Sequence, residues 1–345
     1  MRLTSDEALK LFEGGDLLEL GKAADKIRRK KFGDVTTFII DRNINYTNIC
    51  KNECKFCAFF RRKNQRGAYL LTHEEILQKV RETVEAGGTQ LMIQGGLHPE
   101  LPLSYYEEML RLIKKKFNIT IHSFTATEIQ HFANISGLSI LETLKRLQAA
   151  GLDSLPGGGA EILVDDVRKK ISPKKIMTDD WLNVMRAAHS IGMKSTATMV
   201  IGFGESLAQR LEHMKKIRDL QDETGGFRAF ITWTYQPKNT VLGGEKVSAQ
   251  DYMKTLSMTR IFMDNGEHIQ GSWVTQGERI GQLTLAFGAD DLGSIMLEEN
   301  VVRAAGTSFD MSTRKIIDLI RAAGRIPAQR NTTYDVLKIF REATK

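Results

Sequence analysis

Cysteine is scarce in this chain: three residues in 345, Cys50, Cys54 and Cys57, all inside one eight-residue stretch. None is left over for the distributed disulfide framework of small secreted proteins, so a reducing compartment is the expected environment. Long apolar runs are missing too, and no stretch approaches the roughly 18 residues needed to span a bilayer. The opening segment, residues 1–34, mixes charges with short apolar groups and lacks a signal-peptide core. A cytoplasmic location with no membrane partner is the expectation. Proline is sparse, at six residues, and no Pro/Ser-rich linker divides the chain, which reads as a single domain. The net charge of +7 comes partly from Ile27-Arg28-Arg29-Lys30-Lys31 and Arg61-Arg62-Lys63. Runs of this kind are usually solvated surface, and without a recognised nucleic-acid module no nucleic-acid partner is expected.

What is present is a rhythm. Ser or Thr followed three residues later by an acid or amide satisfies orphan donors at a helix start reciprocally. It occurs at Thr72-x-x-Glu75, Ser104-x-x-Glu107, Ser139-x-x-Glu142, Ser206-x-x-Gln209 and Ser248-x-x-Asp251, with a further start near Asp179 or Asp180. Between these boxes lie β-rich runs at 89–93, 119–124, 196–201, 229–235 and 269–274, with a weaker one at 152–155. Leu207, Leu211, Met214, Ile217 and Leu220 recur at helical spacing and read as an ordinary core stripe. Strand and helix alternating over short connections favour a parallel sheet, and six or more such units favour an α/β (βα)8 TIM-type barrel over an open doubly wound sheet. Residues 1–38 then form an N-terminal helical cap, 39–309 the barrel core, and 310–345 a C-terminal helical extension.

The motif Cys50-Lys-Asn-Glu-Cys54-Lys-Phe-Cys57 follows the expected first strand, 38–46, on a loop at the carboxyl-terminal mouth where barrel chemistry resides. Three thiolates can hold three corners of a four-iron cluster and leave one iron open to a ligand. The competing structural zinc knuckle wants a fourth Cys or His at short spacing, and the nearest candidate is His73, sixteen residues on.

C-x3-C-x2-C with Phe56 before the last cysteine resembles the radical S-adenosylmethionine superfamily. That resemblance implies a 4Fe-4S cluster on Cys50, Cys54 and Cys57, whose open iron binds S-adenosylmethionine for one-electron cleavage. It further implies a cofactor shell of Phe56, the pair Gly95-Gly96, Glu161 (for a ribose or ammonium group), Arg168 (for the methionyl carboxylate), and Met199 with Ile201 along the adenine. Asp153-Ser-Leu-Pro-Gly-Gly-Gly-Ala-Glu161, Gln221-Asp-Glu-Thr-Gly-Gly-Phe227 and Trp233-Thr-Tyr-Gln-Pro237 resemble the branch that holds the futalosine-pathway enzymes of menaquinone biosynthesis and the deazaflavin-forming synthases. Gln270-Gly-Ser-Trp-Val-Thr-Gln-Gly277, Phe287-Gly-Ala-Asp-Asp291 and Glu298-Glu-Asn300 are most similar to its cyclising members.

The implied reaction removes hydrogen from the ribose C4′ of dehypoxanthine futalosine, joins that carbon to the linked benzoate ring, and draws on a reductant such as flavodoxin or ferredoxin. Candidate substrate contacts are Thr127, Trp233, Tyr235, Gln236, Trp273, Gln276, Asp290 and Asp291. Glu128 and His122 are candidate catalytic bases, with His98 and His268 further histidines near strand ends. The rivals are an aminofutalosine synthase, a deazaflavin synthase subunit and, from another class, a non-catalytic zinc- or RNA-binding barrel.

Overall fold

The computed structural model describes residues 2–341. Two helices, α1 (Ser5–Gly14) and α2 (Leu17–Phe32), precede a first strand in two pieces, β1 (Val35–Ile39) and β2 (Asp41–Ile44). Then follow α3 (His73–Glu85), β3 (Gln90–Ile93), α4 (Leu103–Lys116), β4 (Thr120–Ile121), α5 (Ala126–Ser136), α6 (Ile140–Ala150) and β5 (Ser154–Leu155). The second half runs through α7 (Asp165–Ile171), α8 (Thr178–Ser190), β6 (Lys194–Ile201), α9 (Leu207–Thr224), β7 (Phe227–Thr234), α10 (Ala249–Phe262) and β8 (His268–Gln270). After α11 (Trp273–Gln276) and α12 (Glu278–Leu283) come β9 (Asp291–Ser294), α13 (Val301–Ala304), α14 (Thr313–Ala322), β10 (Ile326–Arg330) and β11 (Val336–Ile339).

The strands close into a ring. β2, β3 and β4 pair in parallel, as do β5 through β9, and β9 returns to β1. The gap between β4 and β5 is bridged where Asp153 N donates to Ile121 O at 3.0 Å and Ser123 N to Ser154 O at 2.9 Å. With β1 and β2 counted as one strand, this is the expected eight-strand α/β barrel. The helices α1 and α2 dock on its outside against α9 and α10.

The boxes at Thr72, Ser139 and Ser206 cap their helices reciprocally, and Ser248 accepts from Asp251 N. Ser104 does not cap; α4 starts at Leu103 behind Pro102, and Glu107 instead takes a bidentate bond from Arg146. Two boxes escaped the pattern reading, Thr4-x-x-Glu7 and Thr125-x-x-Glu128. The run at 269–274 is strand only to Gln270 before turning into α11.

Most such barrels fill their interior with branched apolar layers. This one does not. Along β6, Thr196, Thr198 and Val200 face an internal cavity, while Ala197, Met199 and Ile201 are buried on the outer side. That two-residue alternation puts Thr196 and Thr198, with Val200, on the wall of a hollow lumen and packs their neighbours into an apolar shell.

The extension beyond the barrel begins with the expected helix, α14, which buries Ile316, Ile317 and Ile320. It continues as a hairpin that strand patterning missed: β10 pairs in parallel with β1, from Val35 opposite Ile326 to Phe38 opposite Gln329, and β11 turns back antiparallel. Arg330 reaches inward from β10 to Asp291 with contacts of 2.5 and 3.0 Å. Its guanidinium lies 3.8 Å from the centroid of the Tyr334 ring, which stacks on His268 at 3.7 Å. The hairpin thus seals the amino-terminal end of the lumen.

Arg330→Ala strands a buried Asp291 carboxylate and should lower unfolding free energy by about 3–5 kcal/mol. Chemical denaturation of the metal-free protein measures it. A double variant, Arg330→Met with Asp291→Leu, should lose less than the single Ala change; equal losses would deny the pair its role.

Candidate functional site

The cysteine loop leaves β2 at the opposite end of the lumen and is tied down by backbone. Cys50 N donates to Arg61 O at 3.1 Å, Lys51 N to Leu97 O at 3.1 Å, Lys55 N to Ile171 O at 2.9 Å, and Cys57 N to Cys54 O at 3.0 Å. The glycine pair beside it is dictated by crowding. A Cβ on Gly96 would stand 2.3 Å from Ile49 O and 2.9 Å from Cys50 Cβ, and one on Gly95 would strike the Tyr46 ring at 2.4 Å. Glu128 fastens this layer: Oε1 accepts from Tyr46 Oη at 2.9 Å and Gly95 N at 3.0 Å, and Oε2 from Thr125 N at 2.8 Å.

Both oxygens of Glu128 are therefore committed, and it does not line the cavity. It positions Tyr46 and Gly95 beneath the cysteine loop, so the expectation of a catalytic base there gives way to a supporting one. The missed signal was its place as third residue of a capping box.

Burial pushes the Cys54 thiol up to about 12 and raises Cys57, against the pull of Lys175 on the first and the Phe59 and Phe60 amides on the second. These two thiols stay protonated at neutral pH when bare, so metal binding draws out their thiolates. Among the described residues, no three His, Cys, Asp or Glu side chains gather tightly enough for a single ion. A four-iron cube takes thiolates at separate corners, and the three cysteines, with no fourth ligand, fit it better than they fit zinc.

Next to the loop, Glu161 sits at φ 40° with Oε1 2.7 Å from Lys175 Nζ, while its Oε2 is buried without a hydrogen-bond donor. Lys175 Nζ also lies 5.5 Å from the centroid of the Phe56 ring, and Phe56 packs on Phe203. Arg168 is elsewhere. Its guanidinium donates to the carbonyls of Gly159, Ala160 and Ile176 and stands 3.8 Å from Glu161 Oε2, away from the cavity wall. Arg168 thus clamps the glycine turn and has no donors left for a carboxylate; Lys175, which no motif marked, is the cation at that place.

The cavity has a volume of about 330 Å³ and runs from Phe56 and Cys57 to Arg228 and Tyr334. Four expected substrate contacts stand on its wall: Trp233, Tyr235, Gln236 and Trp273. Trp273 Nε1 donates to Ser294 O at 2.9 Å, which fixes its ring. Tyr235 packs on Phe203 and bonds Gly243 O at 3.1 Å; Gln236 accepts from Thr307 Oγ1 at 2.8 Å.

The other four lie off the wall. Thr127 belongs to α5 beneath Gly159, and Gln276 donates to Thr234 Oγ1. Asp290 binds Arg260 and His268, and Asp291 binds Arg330. Met199 and Ile201 point into the helix layer, and the inward neighbours Thr198 and Val200 take their place. His122 is on the wall, with Nδ1 2.7 Å from Ser154 Oγ, and burial drives its pKa down to about 3. His98 accepts from Glu100 N and its carbonyl holds His131, which leaves it structural.

The parts that motif reading missed are Lys175 and the floor residues Arg228, Arg330 and Tyr334. The polar alternation Thr196, Thr198 was a legible sign that the lumen is hollow. Nothing local marks Arg330 as a lumen residue, because the C-terminal hairpin that delivers it comes from outside the βα rhythm.

Comparison with known proteins places this geometry. Residues 44–217 match the Radical SAM superfamily model, and 224–343 match the CofH/MqnC C-terminal region. The chain is 50% identical over 344 residues to the cyclic dehypoxanthine futalosine synthase of Streptomyces coelicolor, covering 98% of this chain and 86% of that one. It is 47% identical to the enzyme of the same name from Halalkalibacterium halodurans, covering 99% and 93%. Among solved structures, methylornithine synthase superposes with a TM-score of 0.75 at 20% identity, over 95% of each chain, which speaks to the fold. Among the described residues no helix is long and apolar enough to cross a membrane.

Two outcomes check the site. Arg168→Ala leaves at least three carbonyls without a donor and should cost about 3 kcal/mol of stability, read by denaturation before any cofactor is added. Cys50, Cys54 or Cys57→Ala should keep the unfolding midpoint yet lose iron, sulfide and the brown colour after anaerobic reconstitution; a colourless wild type holding one zinc would reverse the assignment.

Proposed function

Because this chain belongs to the radical S-adenosylmethionine superfamily, in the branch that carries the CofH/MqnC C-terminal region, we propose that it cyclises dehypoxanthine futalosine in menaquinone biosynthesis. One observation carries the reading. A single walled lumen joins the cysteine loop at Phe56 and Cys57 to a sealed floor, with Trp233 and Trp273 on its sides. A carbon radical on the ribose must meet the tethered benzoate ring before water or another side chain, and an enclosed aromatic wall serves that end.

When bound, the cluster and S-adenosylmethionine supply one-electron cleavage of a sulfur–carbon bond and, with it, the hydrogen-abstracting agent. The chain's own residues hold and enclose. Cys50, Cys54 and Cys57 would hold the cluster through their thiolates. Glu161 Oε2, buried and without a donor, is ready to accept from an ammonium group, and Lys175 holds the carboxylate in place through Oε1. Phe56 and Phe203 close the apolar side.

Below them, Trp233, Tyr235, Gln236 and Trp273 contact the substrate. The Trp273 ring, held by its Nε1 bond, packs the substrate. His122 is neutral at physiological pH. In the tautomer whose Nδ1–H donates to Ser154 Oγ, 2.7 Å away, Nε2 would accept the proton that the cyclised ring gives up. The electron released with that proton balances the one that cleavage of S-adenosylmethionine consumes, and a low-potential donor such as flavodoxin or ferredoxin, in a reducing, cytoplasmic setting, would supply the first electron.

The test is substrate feeding under oxygen-free conditions. Reconstituted protein with dehypoxanthine futalosine deuterated at C4′ should release methionine and deuterium-labelled 5′-deoxyadenosine, with a cyclic product detected by mass. Turnover confined to an enolpyruvyl benzoate, giving aminodeoxyfutalosine, would replace the cyclising assignment.

A further inference from the structure

We propose that Arg228 is the anchor for the substrate's aryl carboxylate, so that the molecule enters the lumen acid-end first and leaves its ribose at the cysteine end. This rests on the cyclising function above and adds to it a binding residue and an orientation.

Arg228 is the second residue of β7, at the floor of the barrel, and is half-buried on the cavity wall. Its one hydrogen bond runs from Nη1 to Thr332 O at 3.3 Å. Among the described residues it is the one cation on that wall with no anionic partner. Arg330 beside it is taken up by Asp291.

The surrounding charges do not neutralise it. Asp153 is bound by Lys114 and the Ile121 amide, and Asp335 by Asn331 and Thr333. Asp41, facing the lumen from β2, accepts from Gln90 and Ser294, and burial raises its pKa toward the protonated form. His122 is neutral, pushed further that way by Arg228 and Arg330. Tyr334 is stacked between His268 and Arg330. The Thr332 hydroxyl is buried with no partner.

Holding a guanidinium half out of water without a counter-ion is costly, and that cost is recovered when an anion arrives. Its planar fork matches a carboxylate, which takes two parallel N–H bonds. A benzoate seated there points its tether up the lumen between Trp233 and Trp273, toward Phe56 and Cys57.

The experiment compares dehypoxanthine futalosine with its primary-amide analogue on the reconstituted wild type, R228Q and R228K. Wild type should favour the acid over the amide by about 10- to 100-fold in kcat/KM. R228Q should lose that factor for the acid and treat both alike, and R228K should recover part. Iron content should stay at the wild-type level in both variants. A wild type indifferent to acid and amide, or an R228Q that keeps the preference, overturns the anchor while leaving cyclisation in place; the wild-type comparison decides even if R228Q fails to fold. Absence of any cyclic product from wild type overturns the cyclising function and the anchor together.

Discussion

The buried pair of Arg330 and Asp291 is the tie on which the interior depends. Asp291 begins β9 and accepts from Thr37 Oγ1 on β1 at 2.5 Å, while Arg330 arrives from β10. One carboxylate thereby joins the two strands that complete the ring to the hairpin that floors it. A buried ion pair is a poor source of net stability, because desolvation offsets most of the attraction. Its value here is geometric: two charges that tolerate no other partner specify where the hairpin sits.

With one end sealed, the polarity of the lumen becomes consistent with chemistry. A barrel that packs Val, Ile and Leu inside has no room for a substrate. This one sets Thr196, Thr198, Gln90, Asn43 and Gln270 among apolar wall residues such as Met92, Val200 and Ile231 around an open cavity, and buries further apolar residues on the outer side of the strands. The hydrophobic contribution to stability comes from the layer between strands and helices, where Leu91, Ile93, Met199 and Ile201 are buried. The interior is then free to be shaped by hydrogen bonds.

The open end shows the same division of labour. Glu128, Gly95 and Tyr46 make a rigid base under the cysteine loop, and Arg168 staples the glycine turn by its carbonyls. Residues that look reactive in isolation are here the fixings for others. The wall groups left with unmet capacity include Glu161 Oε2 near the cysteines, and Arg228 and the Thr332 hydroxyl at the floor. Unmet capacity in a cavity, more than residue type, is what separates a binding group from a structural one.

Sequence alone determined whatever is local or periodic. The spacing of Cys50, Cys54 and Cys57, the helix-start boxes at Thr72, Ser139 and Ser206, and the strand–helix rhythm all follow from contacts within a few residues or one turn, and each held. The face presented by a strand, the use of an arginine and the origin of the floor belong to tertiary structure. Met199 differs from Thr198 only by which side of β6 meets the helices, Arg168 and Arg228 differ only in whether a partner was already in reach, and β10 finds β1 across nearly three hundred residues. Such pairings depend on how the whole chain closes, and no local pattern encodes that closure.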